Sequence, residues 1–481
     1  LSDPDRHFER VRDLKAFERR LLKLLIRRDE VLDPPQEALA RYGLALAQMD
    51  QFRTPDGRDV SLADEVDTLR RWILEHLVPT IPADSEPDIP SLRRAVSSMA
   101  DRVDTTRNGL LENHRQDFDA DHLDDELRHK ELVLVLGGGG GAGLFHLGVF
   151  QLLEDIDVIP EFIVGSSMGS IMGLVRALSR EYDPFATALA LPRELDREHV
   201  FRPFTGYSRY GFPGAFHLNL LRVARELFDE LMGTPDLRFQ DLSIPLEIVV
   251  CGIRTGFDIQ PQEYEEEAPE STTPLSIRKN LKLFFSAVRQ LTRNRQMLEE
   301  VVFGRGRLTA NFPVVEAMGF SCTVPGLLHY DIFHDDPATI GPLETLFDRH
   351  ELLRLCDGGV INNVPSDTAW ESVYEGKIGT RNTFIAAFDV FAPVPRTQNV
   401  IWIPVQRLVR PSVLAKRPYS DFHKTFREPP SPLQVIVNSY SAIRNIVDSS
   451  RDELTEERPI IEKAVEPLPP YGVWKAEGPP A

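Results

Sequence analysis

Leu132-Val133-Leu134-Val135-Leu136 is apolar at every position. A short unbroken run of this kind predicts a strand buried on both faces, the pattern of a parallel sheet. Five consecutive glycines, Gly137 to Gly141, end it. The period then changes. Phe145, Leu147, Val149, Leu152 and Leu153 predict a helix from Leu144 to Asp155. Glu161-Phe162-Ile163-Val164 predicts a second strand, and Ile171-Met172-Gly173-Leu174-Val175 opens a second helix. Far downstream, Thr383 to Val390 reads as another buried strand.

The flanks of this core are helical in pattern. Leu14, Phe17, Leu21, Leu24 and Leu25 share one face of a helix predicted from Asp5 to Arg28. Further helices are predicted from Leu62 to Leu77 and from Leu92 to Asn113, joined by a proline-rich connector from Pro79 to Pro90. Asp117-Phe118-Asp119-Ala120-Asp121 resembles the start of a calcium loop. His122 and Arg128, however, stand where that loop needs Gly and Glu, so the stretch is read as solvated acid. A long helix from Pro432 to Asp452 and an extended, proline-bearing tail follow the last strand. The expected division is a helical N-terminal accessory region over residues 1–130, a catalytic domain over 131–400 and a C-terminal helical extension with a tail over 401–481. The N-terminal region is expected to brace the sheet; capping the site or binding a partner is the alternative.

Composition and charge narrow the classes. The chain has 481 residues, enough for one large core and an accessory region. Its net charge of -19 speaks against nucleic acid as a partner. Cys251, Cys322 and Cys356 fall in apolar segments, so no disulfide framework is expected. No apolar run reaches the length of a membrane span. Ser2-Asp3-Pro4-Asp5-Arg6-His7 has no signal-peptide pattern, and Leu1 leaves room for an upstream segment. The expectation is a cytoplasmic protein held peripherally at membranes, with export without a signal peptide as the other route. Charge is also uneven along the chain. Glu263 to Glu270 is an acidic loop, and the next stretch carries Arg278, Lys279, Lys282, Arg289, Arg293 and Arg295. Leu281, Phe284, Phe285, Val288 and Leu291 recur there at helical spacing. This predicts a basic amphipathic helix, either packed on the core or laid on a lipid surface.

Three glycine-bearing turns carry the candidate chemistry. They are Gly137-Gly138-Gly139-Gly140-Gly141-Ala142-Gly143, then Gly165-Ser166-Ser167-Met168-Gly169, and much later Asp357-Gly358-Gly359. Backbone without Cβ atoms lets a substrate oxygen approach its N–H groups closely. The helix after the first loop aims free N–H groups and partial positive charge at it. Strand, Gly-x-Ser-x-Gly, helix is the setting of a nucleophile elbow, with Ser167 exposed on a strained turn. Together the turns supply oxyanion donors, a nucleophile and a base, which points to a serine acyl hydrolase acting on esters.

Rival readings are weaker. Gly138-x-Gly140-x-x-Gly143 also fits a dinucleotide fingerprint, but the second strand ends Val164-Gly165-Ser166-Ser167, with no carboxylate for a ribose. A P-loop needs Gly-Lys-Ser/Thr where Gly143-Leu144-Phe145 stands. A Ser-Asp-His triad with Asp357 and His423 has the right chain order. Its oxyanion loop, however, usually lies several elements before the serine. His423 sits in the polar stretch Tyr419-Ser420-Asp421-Phe422-His423-Lys424 and is read as a surface residue outside any strand. His146 is read as a packed or capping histidine.

The order of the three turns resembles the patatin-like lipid acyl hydrolases, over Glu131 to Val390. Gly148-Val149-Phe150, Ser321-Cys322-Thr323-Val324-Pro325-Gly326 and Asp357-Gly358-Gly359-Val360-Ile361-Asn362-Asn363-Val364-Pro365 look like further segments of that family. Gly143 to Gly148 and Gly165 to Ile171 are most similar to its triacylglycerol-lipase branch. The resemblance implies a Ser-Asp dyad: Ser167 attacks, Asp357 takes its proton, and no histidine is required. It also implies that the N–H groups of Gly139, Gly140 and Gly141 stabilise the oxyanion, while Gly165 and Gly169 frame the elbow. One position departs from the family. Many members carry Arg or Lys where Ala142 stands, which weakens the case for an anionic phosphate held there.

The resulting expectation is an α/β protein, a three-layer α/β/α sandwich with a mainly parallel sheet and an N-terminal helical extension. Its function would be hydrolysis of carboxylic esters of glycerolipids, phospholipid or triacylglycerol, at a membrane or lipid-droplet surface and without metal or cofactor. Acyl transfer through the same acyl-serine, or lipid binding by a dead site, are the alternatives.

Overall fold

The computed structural model describes residues 3–28, 30–181, 201–203, 208–219, 236–256, 286, 289–291, 293–391, 403–432 and 440–476. Helices α1 (Pro4–Arg27), α2 (Pro34–Gln48), α3 (Ala63–His76), α4 (Ile89–Asn113) and α5 (Ala120–Arg128) come first, with strands β1 (Gln51–Arg53) and β2 (Asp59–Ser61) between α2 and α3. Next are β3 (Glu131–Leu136), α6 (His146–Asp155), β4 (Phe162–Ser166), α7 (Met168–Ala177), β5 (Phe201–Pro203), β6 (Gly214–Leu218) and β7 (Leu246–Arg254). Then follow β8 (Leu298–Phe303), α8 (Gly306–Thr309), α9 (Val314–Ser321), β9 (Gly326–His329), α10 (Pro337–His350), β10 (Leu352–Asp357), α11 (Ser366–Tyr374) and β11 (Thr383–Asp389). The last are α12 (Ile403–Lys416), β12 (Phe422–Thr425), α13 (Tyr440–Leu454), α14 (Arg458–Val465) and α15 (Tyr471–Ala476).

The unbroken apolar runs become the centre of a seven-stranded sheet. β12, β11, β3, β4 and β7 pair in parallel in that order, and β8 and β10 run antiparallel to β7. Alternate side chains of β3 serve two cores, Leu132, Leu134 and Leu136 on one face, Val133 and Val135 on the other. Phe150 of α6, Met172 of α7, Phe320 of α9 and Val447 of α13 pack on the first face. Val11 of α1, Trp370 of α11 and Val413 of α12 pack on the second. This is the expected α/β/α sandwich. The first helix is therefore part of a covering layer, and α2 to α4 build a separate core beside it, joined by Trp474 of α15.

Several expectations change. The pattern gave no sign of α2, which is apolar on nearly every side and so lacks a stripe. Its signal was at the start, where Asp33 and Gln36 form a capping box. Asp119 is not a calcium ligand position but the cap of α5, accepting from the His122 N–H at 3.0 Å. The division at residue 400 is not a break in the core, because β12 adds to the sheet and α13 packs against it. His423 lies in that strand, opposite Ala387, and is half-buried. The acidic loop and most of the basic apolar segment fall outside the described residues. Of that segment, Leu291 packs against Phe212 and Cys251, while Arg289 and Arg293 are exposed.

The register of β7 sets up the site. β8 pairs with Ile248 to Ile253 along one edge. β4 pairs with Leu246 to Val249 and β10 with Val250 to Arg254, so these two share the opposite edge. They run toward one another and meet head on. Ser166 stands opposite Val249 and Asp357 opposite the next residue, Val250. Two segments remote in sequence thus end at adjacent positions of one strand.

Candidate active site

Ser167 follows β4 and caps α7, at φ 52° and ψ -127°. A residue with a Cβ rarely holds this conformation unless its surroundings impose it. The reversal presses the elbow glycines together: a Cβ on Gly165 would lie 2.5 Å from the Gly169 carbonyl oxygen. From this turn Ser167 Oγ donates to Asp357 Oδ2 at 2.7 Å. Asp357 Oδ1 accepts from the Gly359 N–H, also at 2.7 Å. The two candidate residues, 190 positions apart, are therefore in direct contact.

Gly358 lies where the two strand ends meet. A Cβ there would sit 2.1 Å from the Val249 carbonyl oxygen. Backbone cannot yield as a flexible side chain does, so Gly358→Ala is expected to destabilise the fold by about 2–4 kcal/mol. Thermal denaturation measures this; an unchanged midpoint would contradict the head-on meeting of β4 and β10.

Both side chains of this pair are nearly out of water, Ser167 at 9% and Asp357 at 6% exposure. Burial pushes the Asp357 carboxyl up to about 6, against the opposing pull of the bonds from the Ser167 hydroxyl and the Gly359 N–H. A base works only when ionised. Activity through this carboxylate should therefore fall as pH drops through about 6, because the proton then occupies the position that must receive the serine's. The profile of kcat/KM on a soluble ester checks this, and a plateau extending down to pH values near those of a free carboxyl would contradict it.

The glycine loop lies against the same point. The Gly137 N–H donates to Phe388 O at 3.0 Å and the Gly138 N–H to Asn363 O at 3.2 Å. Asn363 Nδ2 returns a bond to Gly138 O at 3.3 Å, so the Asp-Gly-Gly segment is docked on the loop. Gly139 and Gly140 donate their N–H groups to no acceptor among the described residues. Gly141 departs from the expectation. Its N–H is committed to Pro432 O at 2.9 Å, which leaves Gly139 and Gly140 as the open donors. The chain after Gly140 first forms a tight 3-10 turn, Gly140–Phe145, before α6 begins. Ala142 is 1% exposed and packs in the core, so this position presents no side chain to a substrate.

No histidine among the described residues bonds to Ser167 or Asp357. His146 is buried, with Nε2 2.9 Å from Gly137 O, and burial lowers its ring to about 4. His423 is likewise lowered to about 4, first by burial and then by Arg417. Its strand is separated from β4 by β11 and β3. Sequence reasoning missed a third group at the dyad: Ser321 Oγ accepts from the Ser167 N–H at 2.8 Å. Its only signal was its place in Ser321-Cys322-x-x-Pro325-Gly326.

This convergence places a serine on a strained turn, a buried carboxylate and two open amides at one point of an α/β/α sandwich. The family is more specific. Residues 134–370 match the family model described as Patatin-like phospholipase, and the chain belongs to that family through this domain. Shorter stretches are similar to named proteins. The chain is 50% identical over 71 residues to Triacylglycerol lipase 4 of Saccharomyces cerevisiae, covering 15% of this chain and 8% of that protein. It is 43% identical over 68 residues to Lysophospholipase NTE1 of Candida glabrata, covering 13% and 4%. It is 39% identical over 62 residues to human Patatin-like phospholipase domain-containing protein 6, again 13% and 4%. The aligned part is a small fraction of each relative.

Proposed function

We propose that this protein is a serine lipid acyl hydrolase that cleaves carboxylic esters of glycerolipids through Ser167 and Asp357. The observation that carries the reading is the 2.7 Å bond from Ser167 Oγ to Asp357 Oδ2, beside two glycine amides with open N–H groups. A hydroxyl has too high a pKa to attack unaided, and Asp357 supplies the adjacent base. Ser167 Oγ attacks the ester carbonyl as its proton passes to Asp357. The N–H groups of Gly139 and Gly140 receive the developing oxyanion. Each such donor contributes roughly 10²–10³ in rate. The alcohol or lyso-lipid leaves with the proton, and water attacks the acyl-serine to regenerate the enzyme.

Two of the relatives are named a lysophospholipase and a triacylglycerol lipase, which supports a glycerolipid ester. Buried Ala142 offers no cation, which favours neutral acylglycerols or zwitterionic lysophospholipids over an anionic head group clamped at this loop. Such substrates reside in membranes or lipid droplets, so a lipid surface is the partner this reading requires. Among the described residues no helix is long and apolar enough to cross a membrane. The test is incubation of purified protein with triacylglycerol, phosphatidylcholine and lysophosphatidylcholine, with Ser167→Ala and Asp357→Asn as controls. Fatty acid released by the wild type alone is the expected result. Release from none of the lipids, with a folded protein, would overturn the reading.

A further inference from the structure

Ser321 is the last residue of α9, and its side chain has no contact with solvent. Its hydroxyl is bonded in two directions. It accepts from the Ser167 N–H at 2.8 Å and donates to the Val249 carbonyl at 2.7 Å. Val249 is the residue of β7 at which its partner changes from β4 to β10. Two residues further, the Thr323 carbonyl accepts from the Asp357 N–H at 2.9 Å. The Thr323 hydroxyl bonds back to Gly319 O at 3.0 Å and fixes the segment to the end of its own helix. One three-residue segment therefore holds the backbone amides of both dyad residues.

The need for such a clip follows from the topology. β4 and β10 do not pair with each other; they only abut along β7. No ladder bond fixes the gap between Ser167 and Asp357. Ser167 is also held at a positive φ that its surroundings must impose. The bond that the Ser167 N–H donates to Ser321 holds the amide of that same residue and, through Val249, ties it to β7 at the junction.

We propose that Ser321 is a positioning residue for the dyad: its hydroxyl bridges the Ser167 amide to Val249 and keeps Oγ within reach of Asp357. The inference rests on the function proposed above. Ser321 touches neither substrate nor the reacting atoms; it acts through the geometry of Ser167. Misplacement of reacting groups by about 1 Å can cost about 100-fold in rate. Removing the hydroxyl is thus expected to lower kcat by roughly 10- to 100-fold and leave KM nearly unchanged.

The experiment compares Ser321→Ala, Ser321→Cys and Ser321→Thr with the wild type. Cysteine nearly keeps the volume but makes a poor bridge; threonine keeps the hydroxyl. Kinetics on a soluble short-chain ester, the rate of covalent labelling by a fluorophosphonate and the melting midpoint are measured for each. Slow turnover and slow labelling in the alanine and cysteine variants, with KM preserved and threonine restoring most of the rate, support the proposal. A folded alanine variant that labels as fast as the wild type, whatever its melting midpoint, shows a purely structural role and overturns it. A threonine variant no faster than cysteine overturns it as well. If neither alanine nor cysteine folds, the hydroxyl is a folding determinant and the positioning role fails. A wild type inert toward both ester and fluorophosphonate defeats the functional reading itself, a result distinct from an active wild type whose variants match it.

Discussion

Ser167→Ala is expected to lower kcat on a soluble ester by roughly 10⁵–10⁶-fold, since removal of a nucleophile acting with its base forfeits nearly the whole contribution of the pair. The rate should not fall to that of water. The open amides of Gly139 and Gly140 and the substrate-binding surface remain, and such features alone can retain roughly 10³–10⁴ over the uncatalysed reaction. The fold should survive, because the strained turn is held by the backbone contact of Gly165 with Gly169 and by the bond from the Ser167 N–H to Ser321, neither of which uses the lost hydroxyl. Asp357 should respond. Its bond from the Ser167 hydroxyl is one of two interactions opposing burial, so the carboxyl of the variant should bind its proton more tightly than in the wild type. Single-turnover kinetics with a chromogenic ester measure the first effect. A variant within tenfold of the wild type would show that the acyl group never passes through residue 167.

The parts of the candidate site were legible in the sequence because each is a local device. A glycine loop after a buried strand, a serine between two glycines before a helix, and an Asp-Gly-Gly turn are each readable within about ten residues. The distance between Ser167 and Asp357 was not. It depends on β7, whose residues Val249 and Val250 receive the ends of two strands on one edge, and pairing register is a non-local property. The commitment of the Gly141 N–H to Pro432 was illegible for the same reason, being a contact 291 residues long in a chain read segment by segment. His423 misled through composition. Tyr419-Ser420-Asp421 looks like a polar loop, yet Asp421 is buried against Lys15 of α1, and that pairing lets β12 lie in the sheet. Charges that neutralise one another across remote segments read as surface until the partner is known. The α1 layer was visible as an apolar stripe, but nothing in that stripe told which surface it would cover.

Asp357→Asn is expected to separate activity from stability. The amide cannot accept the serine proton, and where nucleophile and base act as a unit, loss of the base costs about as much as loss of the nucleophile, roughly 10⁵–10⁶-fold in kcat. Stability should move the other way, with a sign fixed by linkage. The free carboxyl titrates near 3.8 and the folded one near 6. Between those values the folded chain binds more protons than the unfolded chain, so stability falls as pH rises through the window. Below it the carboxyl is protonated in both states and carries no penalty. Above it the full penalty is present, about 3 kcal/mol for a shift of about two pH units. Asparagine stays neutral and can still accept from the Gly359 N–H, while its amide can donate to Ser167 Oγ. The variant should therefore be more stable than the wild type by about 1–3 kcal/mol at pH 8 and lose that advantage near pH 4. Chemical denaturation at the two pH values measures it. Equal destabilisation at both would mean that Asp357 is a structural anchor, and activity within tenfold of the wild type would mean that it is not the base. Gain at alkaline pH with lost turnover is the signature of a carboxylate kept buried for chemistry at the expense of the fold.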